Sequence, residues 1–101
     1  MDMDKTATKE DIRAWVERTA SYAIPNTFIP EQIDHVAMCV EHIHRWYWDN
    51  YPLGSFLRAV VRNDLIETFM LADDVNRKAM FLFCIFLYNE LPSDWRLKGK
   101  A

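Results

Sequence analysis

Six apolar residues, Ile33, Val36, Ala37, Val40, Ile43 and Tyr47, each have another of the six three or four positions away between Pro30 and Asp49, and this spacing confines what the chain can become. A half-buried strand alternates at every second position. Steps of three and four instead gather all six side chains on one stripe of an α-helix. Asp34, Glu41, Arg45 and Asp49 form its wet stripe, with Glu41 and Arg45 at a favourable i, i+4 separation. Pro30 suits a first helical turn and Glu31 adds a charge that the helix dipole favours there. Pro52 and Gly54 close the helix after about Asp49.

The flanking segments follow the same period. Thr8 and Asp11 have the spacing of a capping box, and Ile12, Trp15, Val16, Thr19, Ala20 and Ala23 then mark one buried face up to Pro25. Residues 25–29 read as a loop with Phe28 and Ile29 turned inward. Between Ser55 and Leu71 a helical pattern of Phe56, Leu57, Val60, Val61, Leu65, Phe69 and Met70 is interrupted by Asn63-Asp64. Both residues compete for backbone hydrogen bonds, so the break predicts a kink or two short helices. Asp73 or Asp74 caps a last helix that runs through Glu90 and stops at Pro92. Its ten-residue apolar run, Ala79 to Tyr88, suits a central buried helix or one that also serves an interface. Two glycines and four prolines are too few to punctuate a β-sandwich or barrel. The expected fold is all-α, a compact bundle of four to five helices. Residues 1–7 form a flexible leader, 8–95 a single helical domain, and 96–101 a basic, solvated tail.

Half the residues are apolar and 14% are aromatic, so a real core can form. A chain this short buries only about two-thirds of its unfolded surface, and a homodimer is a natural way to bury more. The net charge of -3 argues against a nucleic-acid binder driven by bulk charge. Cys39 and Cys84 lie far apart in apolar helical contexts, which fits buried free thiols in a reducing compartment. The acidic start of the sequence lacks the pattern of a secretory signal, and ten apolar residues cannot span a bilayer that needs about 20. A cytoplasmic location without membrane insertion is expected, in the host cell if the chain is encoded by a phage.

His35, Cys39 and His42 share one side of the second helix, a set that could in principle ligate zinc. Structural zinc sites usually draw four ligands with a loop between pairs, and no second cluster supplies the fourth. The competing reading is a polar flank with Cys39 as a small hydrophobe. No cofactor is expected. A Cys–His relay would need an exposed, electropositive thiolate, and a phosphate loop would need more glycine. An enzyme is therefore not expected.

Trp46, Tyr47 and Trp48 are consecutive, followed by Tyr51. Successive helical residues turn by 100°, so the three cannot all enter one core. At least one ring should be partly exposed, or covered by the first helix or the leader. Exposed Trp and Tyr near Arg are common interface anchors. Base stacking on these rings would need an adjacent basic groove, which Arg45 alone does not make.

The run Pro52-Leu53-Gly54-Ser55-Phe56-Leu57-Arg58-Ala59-Val60-Val61-Arg62-Asn63-Asp64-Leu65 resembles a P-x-G-x-F-L-x-A-V-x-x-N-D-L pattern of small bacteriophage and prophage proteins. The likeness continues through Ala72-Asp73, Asn76 and Tyr88-Asn89-Glu90-Leu91-Pro92, covering roughly residues 47–95. Similar proteins often carry Trp-Gly-Ser where this chain has Trp95-Arg96-Leu97. The resemblance implies a phage-like origin and helical structure, and brings no activity with it. The expected function is non-enzymatic: binding a host or phage protein and modulating or inhibiting it, with Trp46, Trp48, Tyr51, Asn63 and Asp64 as candidate partner-binding residues. A small nucleic-acid-binding regulator using Arg58, Arg62, Arg77, Lys78 and the tail is the first alternative. A small metal-binding helical protein using His35, Cys39 and His42 is the second.

Overall fold

The computed structural model describes residues 3–101, and among them every regular element is helical. In chain order these are α1 (Lys9–Ala23), α2 (Pro30–Asp49), α3 (Ser55–Val61), α4 (Leu65–Leu71), α5 (Asp74–Ile85) with a π-helical continuation (Phe86–Glu90), and α6 (Trp95–Lys100). Six helices replace the four to five expected: the segment after Pro52 divides into two, as one of the alternatives had it, and the sixth is the C-terminal segment, which is itself helical.

Local chemistry sets most of the boundaries. Thr8 Oγ1 accepts from the Asp11 amide at 3.1 Å, and Asp11 Oδ2 accepts from the Thr8 amide at 2.8 Å. This reciprocal box satisfies two amides that have no partner within α1. Pro30 opens α2, which ends where Asn50 turns left-handed at φ 57°. The Asn63-Asp64 interruption resolves as two helices. Asn63 takes φ 60°, a conformation asparagine tolerates, and Asp64 Oδ1 then caps α4 through the Glu67 amide at 3.2 Å. Of the two candidate caps for α5, Asp73 takes the role, accepting from the Asn76 amide at 2.7 Å.

The π-helical turn has a packing cause. Leu82, Phe83, Phe86, Leu87 and Leu91 are all buried. Uninterrupted α winding would bring Glu90, four residues beyond Phe86, onto the core face. The wider turn advances the register by one residue and presents Leu91 there instead.

The core lies among α1, α2 and α5, where Val16, Val36, Val40, Ile43, Leu82 and Phe83 lose essentially all contact with solvent. Trp15 meets Phe86 edge to face, with ring centroids 5.2 Å apart. α3 adds Leu57, Val60 and Val61, and α6 adds Trp95.

The ends of the chain differ from expectation. Residues 1–2 lie outside the described residues, but the rest of the expected leader is docked. Met3 is 0% exposed, and its carbonyl accepts from Trp48 Nε1 at 3.1 Å. The Asp4 carbonyl accepts from His44 Nε2 at 2.7 Å. A buried apolar side chain and two part-buried donors, Trp48 Nε1 and His44 Nε2, hold this segment down. The basic tail is helical and docked rather than loose: α6 packs on α3 so closely that a Cβ on Gly99 would lie 1.9 Å from the Val61 carbonyl oxygen, while Arg96 and Lys100 remain exposed as expected. In the loop before α2, Phe28 is half-buried as expected, whereas Ile29 points to solvent. Cys39 is buried, but Cys84 is exposed, because the apolar run of α5 has two faces and only one meets the core.

Candidate functional site

The least covered apolar surface belongs to α4. Its seven residues, Leu-Ile-Glu-Thr-Phe-Met-Leu, bury only Thr68. Leu65, Ile66, Phe69, Met70 and Leu71 all remain exposed, Met70 at 77%. The cause is topological. α4 is held by its cap at Asp64 and packs chiefly on α3, so no neighbour covers its outer faces. Across from it, α5 turns Phe81 and Cys84 away from the core, and Tyr88 of the π turn stands 72% exposed.

Between these walls runs an open groove of about 490 Å³. Leu65 and Thr68 of α4 line it, as do Met80, Phe81 and Cys84 of α5 with Tyr88 of the π turn, and Trp95 with Arg96 of α6 complete the lining. Asn63 and Asp64 also line it, so two of the sequence-nominated residues stand at this groove. The Arg96 guanidinium lies 5.5 Å from the Tyr88 ring centroid and 5.0 Å from that of Trp95. Trp95 Nε1 is buried with no acceptor among the described residues. Partial burial pushes the Cys84 thiol up from its ordinary value, so it stays a neutral, weakly polar part of the wall.

The other nominated residues gather elsewhere. Trp46 and Tyr51 line a second recess of about 320 Å³ with Arg58, Arg62 and Lys98. Arg45 lies 4.2 Å from the Tyr51 ring centroid, and the Lys98 ammonium lies 5.6 Å from that of Trp46 while donating to Asn50 Oδ1. The basic neighbourhood that Arg45 could not supply is thus assembled from α3 and α6. Sequence spacing hid it because Lys98 lies about fifty residues from Trp46. Trp48 does not join the recess: its indole is engaged by Met3, so its ring secures the N-terminal segment.

The proposed zinc trio is not brought together. His35 and Cys39 are neighbours, with Sγ and Nε2 3.7 Å apart, but His42 stacks on Tyr51 at 4.9 Å between ring centroids. His35 Nε2 instead donates to Asn76 Oδ1 at 3.1 Å and lies 3.9 Å from Asp73 Oδ2. Among the described residues no group of three or more His, Cys, Asp and Glu side chains is placed to hold a metal. Burial, with the Asp73 charge adding to it, pushes the Cys39 thiol up to about 11. A thiol in that state is a hydrogen-bond donor toward Asn76 Oδ1, 3.8 Å away, rather than a nucleophile. The cluster therefore ties α2 to the first turn of α5.

The apolar groove was only partly visible in the sequence. The run from Ala79 to Tyr88 suits a central buried helix or one that also serves an interface, and the apolar spacing of α4 does not reveal that nothing packs against its outer faces. No helix among the described residues is long and apolar enough to cross a membrane. In comparisons with known proteins, no family model, no curated protein and no solved structure matches this chain.

Proposed function

We propose that this chain is a non-enzymatic protein-binding module of phage-like origin, which engages a host or phage protein through the α4–α5–α6 groove and modulates or inhibits it. The observation that carries the reading is the groove itself: Leu65, Phe81 and Tyr88 stand open to water around a concave apolar surface. Monomeric proteins seldom leave such a surface uncovered unless something docks there. Concave apolar grooves of this kind suit an amphipathic helix laid along them. The origin is supported by the resemblance of residues 47–95 alone. The test is affinity capture from a host lysate with the wild type, Leu65→Glu and Phe81→Glu, both exposed side chains that line the groove. A stoichiometric partner retained by the wild type and lost by both variants supports the reading. No partner, or one that ignores both substitutions, overturns it.

A second reading, a small regulator that binds single-stranded nucleic acid, is favoured by the recess of Trp46 and Tyr51 among Arg58, Arg62 and Lys98. Stacked bases and backbone phosphates call for this combination. Binding of an oligonucleotide that falls steeply with salt and is lost in Arg62→Glu supports it. No binding at about 50 mM salt removes it.

A further inference from the structure

We infer that the α4–α5–α6 groove is a self-association surface whose occupant is a second copy of this chain, docked about a two-fold axis. The inference rests on the reading of the groove as a protein-binding surface and names what fills it.

The first argument is area. The five large apolar side chains of α4, with Phe81 and Tyr88, are each between four-tenths and four-fifths exposed. At roughly 150–200 Å² per side chain they leave about 700 Å² of largely apolar surface in water. The largest apolar patch on an ordinary monomer is about 300–600 Å². Each side of a standard protein interface buries about 800 Å². The surface is therefore large for a solitary chain and close to what one side of a stable dimer requires.

The second argument is self-complementarity. A two-fold interface demands that one patch carry both the hollow and the projection that fills it. Leu65 and Thr68 form the inner wall of the groove, while Ile66 and Met70, four residues apart on the same helix, are exposed and lie outside it. The ridge of Ile66 and Met70 on one copy can thus enter the groove of the other, and the reverse contact follows by symmetry.

The third argument is charge. The groove contains one acid, Asp64, and one base, Arg96. Neither has an ion-pair partner among the described residues. A surface with one unpaired charge of each sign is complementary to its own copy. A strongly acidic or strongly basic partner would leave one of the two unmatched or repelled.

Sedimentation equilibrium from about 2 to 200 µM tests the inference, since a specific interface of this size should assemble within that range. The expected result is a particle of twice the 12.0 kDa chain mass. Met70→Glu and Phe81→Glu should each weaken the dimer at least tenfold while helical content, and the melting temperature read at concentrations where the protein is monomeric, stay unchanged, because both side chains are exposed. A second readout uses the wild type alone. Cys84 lines the groove, so its alkylation should slow as concentration rises, while that of buried Cys39 should not respond. A monomer throughout the range, a dimer indifferent to both substitutions, or a Cys84 rate independent of concentration overturns the inference. A monomer that still captures another protein through the groove overturns self-association alone. A groove-dependent dimer that captures nothing leaves self-association standing and overturns the proposed function.

Discussion

Replacing Gly99 by alanine tests how closely α6 must approach α3. The new Cβ would sit 1.9 Å from the Val61 carbonyl oxygen and 2.8 Å from its carbonyl carbon. A carbon–oxygen contact settles at about 3.4 Å, so the two backbones must part by about 1.5 Å. No side chain can rotate away to relieve the overlap, because the obstacle is main chain. Trp95 is the large side chain that α6 buries, at 7% exposure. An indole removes about 150–250 Å² from water, worth about 4–6 kcal/mol at 25 cal/mol/Å², and losing half of that costs about 2–3 kcal/mol. Two effects oppose the loss. Alanine gains up to about 1 kcal/mol over glycine in a helix, and hydration of the unpartnered Trp95 Nε1 returns part of its desolvation cost. The expected net destabilisation is about 1–2 kcal/mol, a fall of roughly 5–15 °C in Tm for a domain of this size. Urea and thermal unfolding followed by circular dichroism measure it. Gly54→Ser is the control, since nothing lies within 4 Å of a Cβ there and the residue is the N-cap of α3. Serine should leave stability unchanged or raise it by a few tenths of a kcal/mol. A Gly99→Ala protein as stable as the wild type would refute the close-contact reasoning.

Other outcomes follow from features at the edge of the core. Met3→Ala should cost about 2 kcal/mol, the lower end for a buried methionine because a chain end relaxes easily, as read by chemical denaturation. A fully stable variant would mean that the N-terminal segment is not part of the core. At pH 8 a thiol reagent should modify exposed Cys84 well before Cys39, whose thiol burial has pushed up to about 11; simultaneous reaction would contradict that placement. The hydroxyl of Tyr47 donates to Asp94 Oδ1, and this bond pushes its pKa up to about 12. The raised value means the neutral phenol is the form stabilised by folding. Its contribution is complete below pH 10 and disappears as pH climbs through about 12. Ultraviolet titration should show one late tyrosine, absent in Tyr47→Phe; four tyrosines titrating together would refute the bond.

Much of the scaffold was legible because its signals are local. The Thr8–Asp11 box, the stripe of α2 and the break at Asn63-Asp64 each depend on residues within about four positions of one another, and the structure places them accordingly. What sequence missed depends on distant partners. Met3 is buried because Trp48 and His44 present donors to its segment, and α6 is docked because Gly99 lets its backbone meet that of Val61. The candidate site divides the same way. Trp46 and Tyr51 could be singled out from their clustering, but their basic surroundings come from α3 and α6. The spacing of Leu65, Phe69 and Met70 marks a helical face, but periodicity is silent on whether another element covers it.

The attachment of α4 has a consequence for how the groove behaves. One wall, α5, is part of the core and can move only if the protein unfolds. The other is a two-turn helix that buries a single threonine and leans mainly on α3. Its detachment exposes little additional surface, so it belongs to the low-energy end of the local opening spectrum, and its amides should exchange with solvent far sooner than those of α2. The groove therefore has one fixed jaw and one adjustable jaw. If the groove binds as proposed, such a clamp would accept partners of different girth at a modest cost in affinity.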